Sequence, residues 1–520
     1  MEEGDIKNLM KRGYLVEPTL TEILSNKSLS SVPLINLIMN LEPPKLISRD
    51  FFLINVPKII GQINNLNIDK KLMFEASSYL MTFIEKEPKL EIKKEEKEKL
   101  EAEISKRRVV VTEIIEPQVK KIEVKDFVRC FRDRFLTIKN FIQEHDLKGL
   151  TSIGKISSNR RFLSVIGLVN AKRITKNKNL LLTIEDMTGK INVIVHHDKT
   201  DLFEKGKYVV LDEVIAVTGS GSNEIIFAND IIFPDIAAVE KKRSDKEEYA
   251  AFTSDIHLGS VKFLEENFLK FIDWLNGKIG SEKQRELSSK IKYLFIAGDN
   301  VDGIGVYPKQ EKELIIRDIR EQYKKLAEFL GKIRKDVTII MCPGGMHDAV
   351  RLVEPQPKIP KEIAPELYEL ENLILTTNPS IIKIAHSRNF PGFNVLMYHG
   401  DSYDYYGDAV DPLRQNNAKL RPDMIIHFLL KKRHLAPTHT STTYYPGEKD
   451  YLVIRNVPDI FVSGHIHKSA ISSYNNILTI SCSCWQLKTA FQEKFGHEPD
   501  PCKVPILNLK TGKVNMLDFS

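Results

Sequence analysis

The sequence predicts a multi-domain protein whose second half is a layered α/β domain. Three observations support this prediction. The chain has 520 residues, too many for one ordinary domain. Between residues 160 and 233, short runs of apolar residues are separated by turn residues, a pattern typical of β-strands. Beyond residue 241, apolar strand-like runs alternate with helical patterns, which is typical of an α/β layer.

Composition narrows the class of protein. With 42% hydrophobic and 28% charged residues the chain can form packed cores, and its net charge of +6 is too small to indicate a polyanionic partner. No apolar run approaches the ~20 residues of a membrane span, and the acidic start MEEGD is unlike a signal peptide. We therefore expect a cytoplasmic protein without membrane contact. Scattered cysteines without a C-x-x-C pair suggest reduced thiols; they are Cys130, Cys342, Cys482, Cys484 and Cys502.

The first 120 residues predict two regions. Residues 1–84 carry apolar residues at helical intervals interrupted by prolines, which indicates a small helical N-terminal module. Residues 85–120 begin with an alternating Lys/Glu run that ends at Arg108, and we expect them to form a charged linker.

Residues 121–240 predict a docking helix and a small β-barrel. Between 126 and 142, an apolar stripe (Phe127, Phe131, Phe135, Ile138, Ile142) shares one helical face, while Arg129, Arg132, Arg134 and Lys139 fall mostly elsewhere. This favours packing on the next domain over nucleic-acid binding. The five strand-like runs that follow, with a tight turn at 186–189, resemble an OB-fold. OB-folds often bind single strands through stacking aromatics, but aromatics are sparse here, so protein docking is at least as good an interpretation.

The most informative pattern lies in residues 241–520, where five apolar runs end in aspartate or histidine. The pairs are Asp255 and His257, Asp299 and Asp302, His347 and Asp348, His399 and Asp401, and His465 and His467. Ligands of open α/β layers bind at the carboxyl ends of strands, so these side chains should converge. Aspartate and histidine without cysteine favour manganese, iron or zinc. Two cations ~3.5–4 Å apart that share a carboxylate would support phosphoester hydrolysis.

These motifs carry a family resemblance. DIH, GDNVD, MHD, YHG and GHIH resemble the ordered motifs of calcineurin-like metallophosphoesterases. AGDNVDGIGVYPKQ, HDAVRLVEPQP and KKRHLAP narrow the resemblance to the small subunit of the archaeal family-D replicative DNA polymerase, over residues 125–520. It implies a calcineurin-like β-sandwich flanked by helices at 241–520, preceded by the OB-fold barrel and the N-terminal module.

The resemblance also implies roles for individual residues. One metal would be held by Asp255, His257, Asp299 and His467, and the other by Asp299, His399 and His465. His347 would protonate the departing oxygen or stabilise charge on the phosphate, with Asp348 orienting its ring. Asp302 either orients a ligand or caps a helix, and Asp401 is a further candidate of this kind. Arg433 and His434 in the basic KKRHLAPTH stretch would contact DNA phosphates or a partner subunit.

The function implied is a 3′→5′ exonuclease that proofreads for a separate large catalytic polymerase subunit. Its cofactors would be two Mn²⁺ ions, with iron or zinc as alternatives. Its partners would be that large subunit, single-stranded or mismatched DNA 3′ ends, and the sliding clamp through the holoenzyme. Two alternatives stay open: a catalytically silent scaffold subunit, and a stand-alone metallophosphoesterase. The full set of two aspartate and four histidine ligand candidates favours an active enzyme.

Met346 departs from the family pattern. That pattern reads Gly-Asn-His-Asp, and its asparagine oxygen binds the second metal. Here Met346 stands in the asparagine place, after a turn lengthened by Gly344-Gly345. A thioether is a poor manganese ligand. Water, an oxygen from a neighbouring loop, or a weakly held second metal would each account for the change; we expect water, with one tight and one weak metal.

Overall fold

The computed structural model divides the chain into two compact units, residues 1–95 and 96–520. It describes short stretches between residues 14 and 76, and then residues 108–113, 121–156, 160–387, 389–494 and 498–520. In the first unit it describes helix Leu34–Met39 and two parallel strands, Leu15–Val16 and Leu46–Ile47. Most of the expected helical module, and the Lys/Glu run up to residue 107, lie outside the described residues.

The end of the expected linker is part of a sheet. Strand Val110–Glu113 pairs antiparallel with strand Ser380–Ile384. Just before it, Val109 is buried and the Arg108 guanidinium lies 2.6 Å from the carboxylate of Glu248. The prediction of a linker to residue 120 is therefore wrong for these residues, because the β-branched run at 109–111 supplies an edge strand.

The docking helix spans Val124–Gln143, and its apolar residues Phe135, Ile138 and Ile142 pack against the barrel. The expectation that its basic residues lie off the buried surface is wrong for Arg134, whose side chain is fully buried. The helix lies between two domains, so a second face, which carries Cys130 and Arg134, is covered by the C-terminal domain.

The barrel is closed by five pairs of hydrogen-bonded strands, four antiparallel and one parallel. In spatial order the strands are Arg160–Ile174, Leu180–Asp186, Gly189–Val195, Ile225–Ile232 and Val214–Gly221, and the last pairs again with the first. The expected tight turn is present, since Asp186 pairs with Gly189 across it. Helix Thr200–Lys207, however, occupies the start of the expected fourth strand. Its Gly206 packs so closely on Leu180 that a Cβ would lie 2.5 Å from that side chain.

Residues beyond 241, together with strand Val110–Glu113, form two six-stranded sheets that pack face to face. The first contains, in spatial order, Leu373–Leu375, Thr338–Cys342, Ile291–Ala297, Tyr249–Thr253, Lys503–Asn508 and Val514–Asp518. The second contains Ala470–Tyr474, Ile477–Ser481, Ile460–Ser463, Phe393–Met397, Ser380–Ile384 and Val110–Glu113. Side chains of both sheets, such as Phe295 and Val462, share one buried core. The near-continuous apolar sequence of the central strands follows from burial on both faces.

Helices cover the outer faces of both sheets. Helices Glu265–Leu275 and Ile319–Gly331 pack on the first sheet, and helices Tyr403–Ala409 and Pro422–Lys432 on the second. Further helices are Glu282–Ser289, Asp411–Gln415 and Ala490–Lys494. This is the α/β arrangement of helix-flanked sheets that the sequence predicts. No helix in the described part of the chain is long and apolar enough to cross a membrane.

Buried polar contacts join the barrel to the two-sheet domain. The Lys432 ammonium lies 2.7 Å from the Glu213 carboxylate, and both side chains are almost inaccessible to solvent. The Arg134 guanidinium donates hydrogen bonds to the carbonyl oxygens of Asp212 in the barrel and Pro437 in the two-sheet domain. Charges buried in this way need all their partners in place, so the contacts fix how the two domains sit together.

Candidate metal centre

The candidate site lies where the central strands of the two sheets end. Five of its residues have a backbone conformation that residues other than glycine rarely adopt: Asp255, His257, Asp299, His465 and His467 have φ values of 50°, 50°, 50°, 72° and 58°. Left-handed conformations of this kind are unfavourable for side-chain-bearing residues and cluster at functional sites. The surrounding packing therefore holds these side chains in one place.

Asp255, His257, Asp299 and His467 form the first cluster. All four are buried, and each offers a ligand atom within 4.8 Å of the others. The Nε2 atoms of His257 and His467 face each other at 3.0 Å. His467 Nε2 is also 3.2 Å from a carboxylate oxygen of Asp255. The sequence reasoning assigned these same four residues to one metal.

The second cluster contains Asp299 again, with His399 and His465. His399 Nε2 lies 3.4 Å from Asp299 Oδ2, and the opposite ring nitrogen donates to the carbonyl oxygen of Ala297 at 2.8 Å. That bond directs Nε2 toward the carboxylate. Asp299 thus belongs to both clusters, as expected for a shared carboxylate.

The aspartate and histidine side chains of the clusters are buried or half-buried, and their charges shift one another's pKa values. Burial alone would raise the pKa of Asp299, but the neighbouring imidazoles of His399 and His347 hold that pKa well below its usual range. Burial alone would lower the pKa of His399, and Asp299 instead raises it. Carboxylates here stay ionised and available as ligands.

Several atoms in the clusters fit a bound cation. Among the described residues, Asp299 Oδ1 and His399 Nε2 are buried without a hydrogen-bond partner. The facing Nε2 atoms of His257 and His467, 3.0 Å apart, would both be able to bind one cation through their lone pairs. The donors are imidazole nitrogens and carboxylate oxygens, which suit manganese, iron or zinc.

Residues behind the candidate ligands form hydrogen bonds with them. Asp302 Oδ1 lies 3.1 Å from His257 Nδ1 and also accepts a bond from Gln486 Nε2. Of the two alternatives for Asp302, the structure supports orientation of a ligand. Gln492 Nε2 lies 3.0 Å from His467 Nδ1. Sequence reasoning missed Gln486 and Gln492, because glutamines far from the strand-end motifs carry no recognisable signal.

The structure corrects the expectation for Asp348. Its carboxylate is fully buried and accepts bonds from the backbone amides of Gly344 and Asn300 and from the hydroxyl of Tyr323. Burial raises the pKa of Asp348 to about 6, with the Asp299 carboxylate as the next contribution. Asp348 therefore organises the loop. The carbonyl oxygen of Asp302, which accepts a 2.7 Å bond from His347 Nδ1, orients the histidine ring instead.

The structure also corrects the expectation for Arg433 and His434. Both side chains are buried, so neither is available to DNA or to another subunit. Arg433 donates to the carbonyl oxygens of Ile454 and Arg455. His434 Nε2 lies 3.0 Å from the carboxylate of Asp450, and burial lowers the pKa of His434 to about 4. The basic stretch looked like a surface loop only because its acidic partner is sixteen residues away in sequence.

Asp401 and Met346 line a cavity of about 440 Å³, which is also lined by four cluster members, His257, Asp299, His465 and His467. Asp401 Oδ2 accepts a 2.8 Å bond from Gln356 Nε2, which explains the glutamine of the EPQP stretch. The Met346 side chain is 43% exposed, unlike the buried ligands of the first cluster. The expectation of one tight and one weak metal stays a prediction.

Comparison with known proteins supplies independent evidence. Residues 250–472 match the family model for the B subunits of DNA polymerases alpha and epsilon. The DNA polymerase II small subunit of Methanothermobacter thermautotrophicus is 40% identical over 400 residues, which are 76% of this chain and 80% of the relative. The DNA polymerase II small subunit of Archaeoglobus fulgidus is 32% identical over 502 residues, 96% of this chain and 94% of the relative.

Two further matches are weaker. One relative is matched over a smaller share of its own length, and one solved structure is only remotely similar. The Pyrococcus abyssi DNA polymerase II small subunit is 38% identical over 408 residues, 77% of this chain but 64% of the relative. Among solved structures, a novel archaeal phosphodiesterase aligns with 52% of this chain and 98% of its own at 12% identity. Its TM-score of 0.25 is too low to support any conclusion.

Proposed function

The chain belongs to the family of archaeal DNA polymerase II small subunits, the small subunits of family-D polymerase, and we propose that it is a metal-dependent 3′→5′ exonuclease on DNA. Its substrate would be an unpaired or mismatched 3′ end produced by the large catalytic subunit. Two divalent cations, in our proposal Mn²⁺, would be held by the two clusters, and proofreading would be its contribution to replication.

The observation that carries this proposal is the position of Asp299 between the two clusters. Its Oδ2 lies 3.6 Å from His257 Nε2 and 3.4 Å from His399 Nε2. A shared carboxylate suits two cations ~3.5–4 Å apart. When bound, such cations supply a hydroxide nucleophile and neutralise charge on a phosphodiester. Family membership makes DNA the relevant phosphodiester.

His347 would complete the reaction. Its Nδ1 is engaged by the carbonyl of Asp302, and the side chain lines the metal-centre cavity. With Nδ1–H held by that carbonyl, the imidazolium form of the ring would give its Nε2 proton to the departing 3′ oxygen and become a neutral imidazole. Asp302 contributes twice, since its carbonyl orients His347 while its carboxylate orients His257. The acid and one ligand are held by the same residue.

The barrel and the domain boundaries belong to the same proposal. We assign residues 121–240 to a docking helix and an OB-fold, and residues 241–520 to the phosphoesterase domain. Closure by five strands, with a helix between the third and fourth strands in sequence, supports the OB-fold assignment. A scaffold role is the second candidate function. The buried Lys432–Glu213 contact favours it, because a rigid two-domain body is suited to holding a larger subunit.

The test compares the natural protein with Asp299→Asn, and with Asp273→Asn as a matched control at an exposed ion pair. Each protein is titrated with Mn²⁺ and incubated with 5′-labelled single-stranded, matched and mismatched DNA. We expect shortening from the 3′ end by the natural and control proteins. Asp299→Asn should retain its circular dichroism spectrum and less than about a tenth of the rate, because losing a shared ligand weakens both sites.

The alternative functions give different results. Co-purification with the large subunit, without manganese uptake or DNA shortening, would establish the scaffold role and refute the nuclease. Hydrolysis of a small phosphodiester with no activity on DNA ends would indicate a stand-alone phosphoesterase. Retention of most activity in Asp299→Asn would show that this carboxylate does not bridge two cations.

A further inference from the structure

We propose that the metal-centre cavity holds the base of the terminal nucleotide against an apolar wall, formed by Val306, Tyr307, Met346 and Leu352. The inference rests on the proposed nuclease function and names the part of the substrate that the same cavity recognises. All four side chains line the cavity that is also lined by four cluster members, His257, Asp299, His465 and His467. In this view Met346 contacts substrate and has no role as a metal ligand.

The apolar wall is built by two adjacent loops. They follow strands Ile291–Ala297 and Thr338–Cys342, which are parallel neighbours in the first sheet. The loops are in close contact, since a Cβ on Gly303 would lie 2.5 Å from the carbonyl oxygen of His347. The Tyr307 hydroxyl is bonded to a Glu313 carboxylate at 3.1 Å. These contacts hold the wall in place before substrate binds.

Exposure distinguishes the wall from ordinary core packing. Met346 and Leu352 are 43% and 47% exposed, although both lie in a cavity beside buried charged ligands. Ile304, in the same loop as Val306, is 49% exposed. Single exposed apolar residues are common, but a group of them beside a polar site is typical of a binding surface. The cavity volume of about 440 Å³ is within the range of small-ligand sites.

Other residues of the cavity lining have a different character. They include Asp404 and Asp408, and Lys419, which also lines the cavity, lies 2.8 Å from Asp408 and 3.3 Å from Asp404. An acidic surface repels the phosphates of a DNA strand. With the scissile phosphate at the metal clusters, the neutral base is directed to the apolar wall.

This division of the cavity selects unpaired ends. A base in a duplex is stacked and paired, so its faces are unavailable, whereas a frayed terminal base can lie on an apolar surface. Contact with a base face is sequence-tolerant, because every base has one. The apolar wall therefore favours a mismatched terminal nucleotide of any sequence, as a proofreading site requires.

The test uses two 5′-labelled single strands that differ only at the 3′ nucleotide, which carries either thymine or no base. For each protein the rate of removing the last nucleotide is expressed as the ratio of thymine to abasic substrate. We expect a ratio of about ten for the natural protein. The ratio should fall to about three in Met346→Ala/Leu352→Ala, because Val306 and Tyr307 remain in the wall. It should be unchanged in the control Met516→Ala/Leu136→Ala, which removes apolar side chains of similar exposure that do not line the cavity.

A binding measurement separates this inference from the proposed function. The affinity of the metal-free protein for the same two strands is measured by fluorescence anisotropy. Tighter binding of the thymine strand, reduced in Met346→Ala/Leu352→Ala, supports the apolar wall even if neither strand is shortened and the nuclease proposal fails. Equal affinities and equal rates for the two strands in the natural protein would overturn the wall. So would a ratio preserved in the double variant.

Discussion

Replacing Arg134 by methionine should destabilise the protein strongly, although Arg134 is far from the metal centre in sequence. Its guanidinium is fully buried and lies 2.6 Å from a carboxylate oxygen of Asp450. It also donates to the carbonyl oxygens of Pro437 and Asp212 at 2.5 and 2.9 Å. Methionine fills much of the same volume and replaces none of these bonds.

The magnitude follows from the charge that is left behind. Without Arg134, the buried carboxylate of Asp450 keeps His434 as its neighbour, at 3.0 Å. Removing one partner of a buried ion pair costs about 3–5 kcal/mol, mostly because the other charge is left uncompensated. The double variant Arg134→Met/Asp450→Asn removes that charge as well, so it should recover more than half of the loss. Arg414→Met, at an exposed pair with Asp411, should cost less than about 1 kcal/mol.

Guanidinium unfolding followed by tryptophan fluorescence measures these differences. The two tryptophans, Trp274 and Trp485, are both buried in the core of the first sheet and report on the two-sheet domain. A midpoint for Arg134→Met equal to that of Arg414→Met would refute the reasoning. A double variant no more stable than Arg134→Met would show that lost packing, and not the uncompensated carboxylate, causes the effect.

Two further predictions concern the metal centre. His347→Ala should leave the manganese content near normal while the rate of DNA shortening falls ~10²–10⁴-fold, the usual range for a positioned acid; metal loss, measured by elemental analysis, would instead make His347 a ligand. Asp302→Asn should weaken one manganese site ~10–100-fold in a calorimetric titration, because the residue orients His257 and no ligand of the second cluster. If the manganese affinity of both sites were unchanged in this variant, Asp302 would have only a packing role.

The candidate site was predictable because its signal is local and repeated. Each ligand directly follows a strand, and parallel strands place their carboxyl ends at one edge of a layer. The backbone carbonyl that orients His347 could not be predicted, since any residue can supply one. Gln492 was missed for a related reason: its role depends on helix Ala490–Lys494 lying beside His467, and no motif marks that contact.

The same limit explains the errors about charged residues. A single arginine or histidine in a sequence is expected to be exposed to solvent, because burial of an unpaired charge is unfavourable. Arg134 and His434 can be buried because both contact the carboxylate of Asp450. Asp450 is 316 residues from Arg134 along the chain. Helical periodicity identified one apolar face of the docking helix, but it carries no information about a second domain covering another face.

The sequence by itself determined the α/β class of the C-terminal half, the strand-end ligand candidates and the family. These features depend on periodicity and on short motifs, which can be identified without knowledge of the three-dimensional structure. Only the tertiary structure decided which polar side chains are buried partners and which residues stand behind the ligands. It also decided that Met346 and Leu352 share one cavity with Asp299. Those features depend on distances between segments remote in sequence, and folding alone sets such distances.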